Sequence, residues 1–247
     1  MNYSSKFITN VKYNGSIFLI MGNVILFDID GTLMQEPNTY NEGFVYACKK
    51  VMHVDVDMDN FQTSGKTNPE IIRELLSSKK IDNITINKNI LKLLNAVESY
   101  TLKHLNKNDC RLLPHVHEAL SVIKENKIKM GFITGNIESI AFERAKRAGI
   151  AHYFNTGGFG SDGEKRSKLV RVAMKRLNSE PENTFVIGDT PKDINAGKEV
   201  EAYTIGVASG IFNPEDLSDA DLVIDNLGEY NKIIKLVKNA SILAHSD

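Results

Sequence analysis

The chain has 247 residues, of which 42% are hydrophobic and 25% charged, and its 30 Lys and Arg nearly balance 31 Asp and Glu. That length and composition suit one large domain, or one domain carrying a smaller insertion, with a core that needs no disulfide staples. The charge balance gives no bulk field toward nucleic acid or acidic lipid, so neither is expected as a partner.

In chain order, the first apolar stretch spans residues 17–27, too short for the ~20 residues of a membrane helix. No small-residue cleavage site follows it, which weighs against a signal peptide. Val24–Phe27 reads instead as a buried strand. Residues 1–20 then become a loosely ordered leader, with Met21 an alternative start. Directly after the strand stands Asp28-Ile29-Asp30-Gly31-Thr32-Leu33. Alternation along an extended segment puts Asp28 and Asp30 on one side. Two carboxylates beside a phosphate dianion need a cation, and an oxygen-only site suits Mg²⁺. Asp28 is suited to attack phosphorus, and Asp30 to protonate the leaving oxygen and then activate water. Gly31 permits the tight exit.

Residues 34–112 read differently. Helical periodicity covers 38–52, Asn68–Ser78 and 87–106, with Asn68 as a cap and Pro69 in the first turn of the second helix. No strong strand lies between them. An all-α block between two strands is most simply a cap domain over the strand ends, leaving residues 21–33 and 113–247 as an α/β core. Cys48 and Cys110 read as buried or idle thiols rather than a disulfide, in a reducing, cytoplasmic setting. The six histidines show no metal-ligand spacing, and His115 and His117 read as solvent-facing.

From Lys129 onward strand and helix alternate: Lys129–Thr134, a helix over 137–148 closed by Gly149, a helix over 166–178, a strand over 184–187, a helix beginning near Asp193, then Tyr203–Val207 and Leu222–Ile224. This alternation predicts an α/β fold, a Rossmann-like doubly wound parallel sheet with helices on both faces. In such sheets ligands bind beyond the carboxyl ends of the strands. Three further polar clusters fall at those ends. Thr134-Gly135-Asn136 offers a hydroxyl and free N–H groups, a phosphate cradle. Lys165-Arg166 places cations at a helix start, where the helix dipole disfavours them unless something anionic is bound. Gly188-Asp189-Thr190-Pro191-Lys192-Asp193 supplies Asp189 as a second metal ligand, with Asp193 one turn on to hold the metal's water shell or the basic residue.

Together these residues resemble the haloacid-dehalogenase superfamily, in its phosphoglycolate-phosphatase-like subgroup with a helical cap. The resemblance runs from Val24 to about Leu227. It implies Asp28 as nucleophile, Asp30 as general acid/base, and Thr134, Gly135 and Asn136 as the phosphate site. Mg²⁺ would be held by Asp28, Asp189 and the backbone carbonyl of Asp30, with Asp193 in support. The third-motif cation, usually Lys, is assigned to Arg166 with Lys165 as the alternative. Gly65, Lys66 and Thr67 occupy the place of the substrate-facing cap loop. Where relatives commonly close the helix after the fourth motif with Ala-Gly, this chain has Val200-Glu201, so Glu201 would adopt a left-handed conformation. Members that cleave carbon–halide bonds generally lack the second aspartate, which makes dehalogenation the wrong expectation. The expected activity is Mg²⁺-dependent hydrolysis of a small phosphorylated metabolite, phosphoglycolate- or sugar-phosphate-like, by a monomer or homodimer. A phosphomutase, or a non-catalytic module that binds a phosphate ligand, are the alternatives on the same fold.

Overall fold

The computed structural model describes residues 10–13, 16–19, 22–37 and 39–243. Within the expected leader, β1 (Asn10–Tyr13) and β2 (Ser16–Leu19) pair as an antiparallel ribbon separate from the main sheet. The remainder of 1–20 lies outside the described residues.

The main sheet starts with β3 (Val24–Phe27), followed by three helices, α1 (Thr39–Ala47), α2 (Asn68–Ser78) and α3 (Asn83–His104). The chain continues through α4 (Val116–Glu125), β4 (Lys129–Thr134), α5 (Glu138–Arg147), β5 (Gly157–Phe159) and α6 (Arg166–Leu177). It ends with β6 (Thr184–Gly188), α7 (Pro191–Lys198), β7 (Tyr203–Val207), β8 (Leu222–Ile224) and α8 (Tyr230–Leu243). The six strands are all parallel, in the order β5-β4-β3-β6-β7-β8. β3 is therefore central, and chain progression reverses around it, opening a crevice at its carboxyl end.

Alternation along β3 divides the core. Ile25 and Phe27 pack with Leu120 and Ile123 of α4, Ala141 and Ala145 of α5, and Ile233 and Val237 of α8. Val24 and Leu26 pack on the other face with Val170 and Ala173 of α6 and Ala196 of α7. At ~25 cal/mol per Å² of apolar surface, each Val, Leu, Ile or Phe among them contributes about 1.5–3 kcal/mol when fully buried. β5 was not expected, because Gly157-Gly158 lacks any strand signature. Both glycines are required by close approach: a Cβ on either would strike the backbone of Phe132 or Leu169.

The helical insertion has its own apolar cluster, including Phe44, Ile72, Leu75, Leu93 and Val97, and Ile137 and Ile140 at the start of α5 join it. The second helix spans the expected residues, but its cap is Thr67 rather than Asn68: the Thr67 hydroxyl and the Glu70 carboxylate form a reciprocal capping box, and Asn68 is already in the first turn. The third begins at Asn83 rather than 87, because the Asp82 carboxylate accepts from the Thr85 N–H at 2.9 Å and caps it. The first stops being α-helical at Ala47 and finishes as a π-turn, Cys48–Met52. Where the chain leaves the sheet and returns to it, Met34 and Leu112 pair as an antiparallel bridge. Gln35 N–H donates to Arg111 O at 3.0 Å, and Leu113 N–H to Leu33 O at 3.0 Å. Glu201 lies at φ 62°, the left-handed conformation expected of it. Cys48 and Cys110 are free and buried. Among the described residues no helix is long and apolar enough to cross a membrane.

Candidate active site

Asp28 follows β3 and is 5% exposed; its N–H donates to Ile187 O of β6 at 2.9 Å. Asp189 follows β6 and accepts from the Thr32 hydroxyl at 3.3 Å. Carboxylate oxygens of Asp28, Asp189 and Asp193 all lie within 4.8 Å of one another, and all three residues are buried. Two glycines make room for this. Gly31 sits at φ 82°, and a Cβ there or on Gly210 would run into the Asp189 carboxylate.

Arg166, the first residue of α6, threads into this cluster. Its Nη2 lies 2.6 Å from Asp28 Oδ1, and its Nε donates to Asp193 Oδ1 at 2.5 Å. The other oxygen of Asp193 accepts from the Thr190 hydroxyl at 2.7 Å and the Thr190 N–H at 3.2 Å, closing the capping box of α7. Asp193 thus fixes both the start of α7 and the direction of Arg166. The alternative assignment of Lys165 to the phosphate site is corrected here. Its side chain is 71% exposed and pairs with Glu199 at 2.7 Å, because the residue preceding the helix points away from the sheet edge.

Three buried carboxylates facing one guanidinium leave excess negative charge. Burial pushes Asp28 well above the usual carboxylate range; Arg166 opposes this, while Asp193, Asp189 and Asp30 reinforce it. Burial, then repulsion from Asp193, pushes Asp189 up to about 7. Burial works against the charge on Arg166, yet Asp193 and Asp28 hold it firmly protonated. An all-oxygen donor set with surplus negative charge in a dry crevice fits a hard divalent cation such as Mg²⁺. Of the three carboxylates that could hold it, Asp28 and Asp189 are the freer, since both oxygens of Asp193 are already engaged.

Asp30 turns away from this cluster. Its Oδ2 accepts from Asn136 Nδ2 at 2.8 Å, and its Oδ1 pairs with Arg144 Nη1 at 2.6 Å. Arg144 is fully buried on α5, and its remaining donors reach Asp109 O at 2.8 Å and Gln35 O at 2.9 Å. The ring of Tyr40 lies 5.8 Å from its guanidinium carbon. Sequence reading missed this arginine. The signal was its position, four residues after Ile140 and three after Ala141, on the buried face of α5. Nearby, the Thr134 hydroxyl accepts from the Asn136 N–H at 3.2 Å, so the second motif folds back on itself at the strand end.

The loop Gly65-Lys66-Thr67 closes over the same edge. Asn68 N–H donates to Gly135 O at 2.9 Å, and Thr67 Oγ1 donates to Glu164 O at 3.1 Å. A Cβ on Gly135 would strike the backbone of Lys66, so this glycine is what lets cap and core meet. The cavity between them is about 330 Å³, opens to solvent on one side, and is lined from the core by Asp28, Asp30, Thr134 and Arg166, and from the cap by Tyr40 and Asn68 among others. Lys66 does not reach across it as a free cation: it pairs with Glu74 and sits 4.6 Å over the Phe61 ring.

Buried carboxylates and a buried guanidinium gathered at the carboxyl ends of the parallel strands, with the helical insertion lining the other side, make this cavity the candidate active site of an α/β enzyme. Residues 25–207 match the family model for haloacid dehalogenase-like hydrolases, and the chain belongs to that family. Among curated relatives, a pyrophosphatase PpaX of Listeria welshimeri is 25% identical over 85% of this chain and 95% of its own length. A phosphorylated carbohydrates phosphatase of Thermotoga maritima is 24% identical over 81% of this chain and 91% of its own. Among solved structures, a β-phosphoglucomutase from Clostridium difficile superposes with a TM-score of 0.68 at 22% identity, covering 90% of this chain and 100% of that one.

Proposed function

We propose that the protein is a Mg²⁺-dependent phosphatase of small phosphate monoesters that works through a phospho-aspartyl intermediate on Asp28. The observation that carries this reading is the placement of Asp28. It is buried at the end of the central strand, paired with Arg166 and within 4.8 Å of Asp189 and Asp193 through its carboxylate.

Bound at Asp28 and Asp189, the cation would offset the carboxylate charge and polarise a phosphoryl oxygen. Asp28 attacks phosphorus in line. Arg166 stays charged throughout and faces the developing negative charge on the phosphoryl oxygens. Thr134 and the backbone N–H groups around Gly135 orient those oxygens. Asp30 supplies the proton for the leaving oxygen and later takes one from water. Both its oxygens are engaged, one by a guanidinium and one by a neutral amide. The charge-assisted bond to Arg144 is the stronger, so the oxygen bonded to Asn136 is the one that turns toward the substrate. The cap limits the access of bulk water, which strengthens each of these interactions.

The test is hydrolysis of an aryl phosphate with and without Mg²⁺, combined with acid-quench trapping of phosphorylated protein. Metal-dependent release, with label on Asp28 and none in Asp28→Asn, is the expected result. Metal-dependent turnover that survives Asp28→Asn would sink the mechanism, and inertness of the wild type toward every ester would sink the activity.

A further inference from the structure

Resting on the phosphatase reading, the geometry points to a narrower substrate class: esters whose leaving group is neutral and hydroxylated, of the sugar or polyol type, rather than one carrying a second anionic group. We infer this from two observations on the cap side of the cavity.

The first is a charge account. The bases lining the cavity among the described residues are Lys66 and Arg166. Arg166 is divided between Asp28 and Asp193, and Lys66 is held by Glu74. Glu36, another lining residue, accepts from the Thr63 hydroxyl and adds a carboxylate to the cap side of the cavity. A carboxylate or second phosphate placed there would meet Glu36 and Asp30 with no cation available to it, and burying an uncompensated charge is costly. Phosphoglycolate and pyrophosphate are both disfavoured by this wall.

The second is a pair of orphaned groups. Tyr40 Oη and Asn68 Nδ2 are buried with no partner at hydrogen-bonding distance, on residues that are 6% and 2% exposed and that line the cavity. The Arg144 guanidinium acts on the Tyr40 oxygen, so what the phenol leaves unplaced is its O–H. Buried polar groups in folded proteins are nearly always satisfied, so two of them beside one cavity mark the place of a ligand's polar atoms. A phenol can donate or accept, and an amide N–H donates. Hydroxyl groups, which also do both, complement this pair; a neutral sugar or polyol chain presents several at the right density. The ring of Tyr40 is fixed by stacking on Phe44, with centroids 6.5 Å apart, and by Arg144 beneath it. Asn68 is fixed by its backbone bond to Gly135. Both are therefore held in position before substrate arrives, which is the condition for selectivity rather than mere tolerance.

The experiment compares kcat/KM, in the presence of Mg²⁺, for a hexose 6-phosphate, a polyol phosphate, phosphoglycolate, pyrophosphate and an aryl phosphate. The neutral hydroxylated esters are expected to exceed phosphoglycolate and pyrophosphate by about tenfold or more. Tyr40→Phe and Asn68→Ala should each lower the ratio of sugar ester to aryl ester by about threefold to tenfold, the range of one lost hydrogen bond to a neutral partner. Tyr40→Phe keeps the ring, so its fold is secure even if the Asn68 variant proves unstable. Glu74→Gln, which releases Lys66, should narrow the gap to phosphoglycolate. Preference of the wild type for phosphoglycolate or pyrophosphate overturns the inference while leaving the phosphatase reading intact, and so does an unchanged ratio in both variants. Failure to hydrolyse any ester, the aryl phosphate included, removes the reading on which it rests.

Discussion

The two walls of the cavity are built on different principles. On the core side, Asp28, Asp189, Asp193 and Arg166 are buried ionisable groups, Arg166 tying Asp28 to Asp193 with Asp189 beside them, and each follows a strand or lies in the first turn of a helix of the sheet. On the cap side the groups that face the cavity are mostly neutral, and the charged ones are bound to neighbours. The cap's own ties to the core run through more exposed pairs: Arg73 with Glu164, and Lys192 with Glu70. The contrast teaches a division of labour. Strand ends and helix starts fix the ionisable groups of one wall, while the other wall comes from a helical insertion packed largely on its own apolar cluster.

The contrast can be broken or sharpened by mutation. The widest gap should separate Asp28→Asn from Lys66→Ala. The first is expected to lower kcat by roughly 10⁴-fold or more, as loss of a nucleophile does. The second should change kcat/KM by no more than about tenfold, because Lys66 is already spent on Glu74. Comparable losses in steady-state kinetics would erase the distinction.

Arg144 comes next, since it belongs to the core yet touches the cap through Tyr40. Arg144→Met would leave Asp30 without its cation and two carbonyls without donors, and should cost about 2–4 kcal/mol in denaturant unfolding. Arg144→Lys should recover part of this stability but not the two-carbonyl fork. A Met variant as stable as the wild type would show that the pair is idle.

Metal should act on the core wall alone, with a definite sign in pH. Asp189 is pushed up to about 7 in the folded chain, from an ordinary value of 3.8. The folded chain therefore binds more protons than the unfolded one across that window, and metal-free stability falls as pH rises through it. Cation binding to the deprotonated site offsets the loss, so the gain in Tm on adding Mg²⁺ should be larger at pH ~8 than at pH ~5. An equal gain at both would place the cation elsewhere. The smallest effect is expected from Arg73→Ala. Losing a partly exposed ion pair at the cap–core seam should cost within about 1 kcal/mol of stability, with the change appearing mainly in KM.

Much of the core wall was legible in the sequence because each of its residues sits directly after an apolar strand or at a helix start. A local pattern of that kind is enough to place Asp28, Thr134, Arg166 and Asp189 on one edge. What was not legible depends on partners distant along the chain. Arg144 looks like any helix cation until Asp30, Asp109 and Gln35 are brought to it. Resemblance alone favours Arg166 over its neighbour Lys165; the turn into α6 supplies the physical reason, sending Lys165 to solvent and Arg166 inward. Lys66 stands in the loop expected to face the substrate, and only the fold reveals Glu74 beside it. β5 escaped because its glycines answer to packing rather than to strand propensity.

The paired crossings at Met34 and Leu112 carry a consequence of another kind. The insertion leaves the sheet and returns to it through adjacent residues joined by backbone hydrogen bonds. To the strands, that base resembles a short loop, whatever hangs from it. Lids of different size or lineage could be grafted there without rethreading the sheet, so variation in the lid can proceed while the catalytic edge stays as it is. The seam is thus a natural point of exchange for engineering as much as for descent.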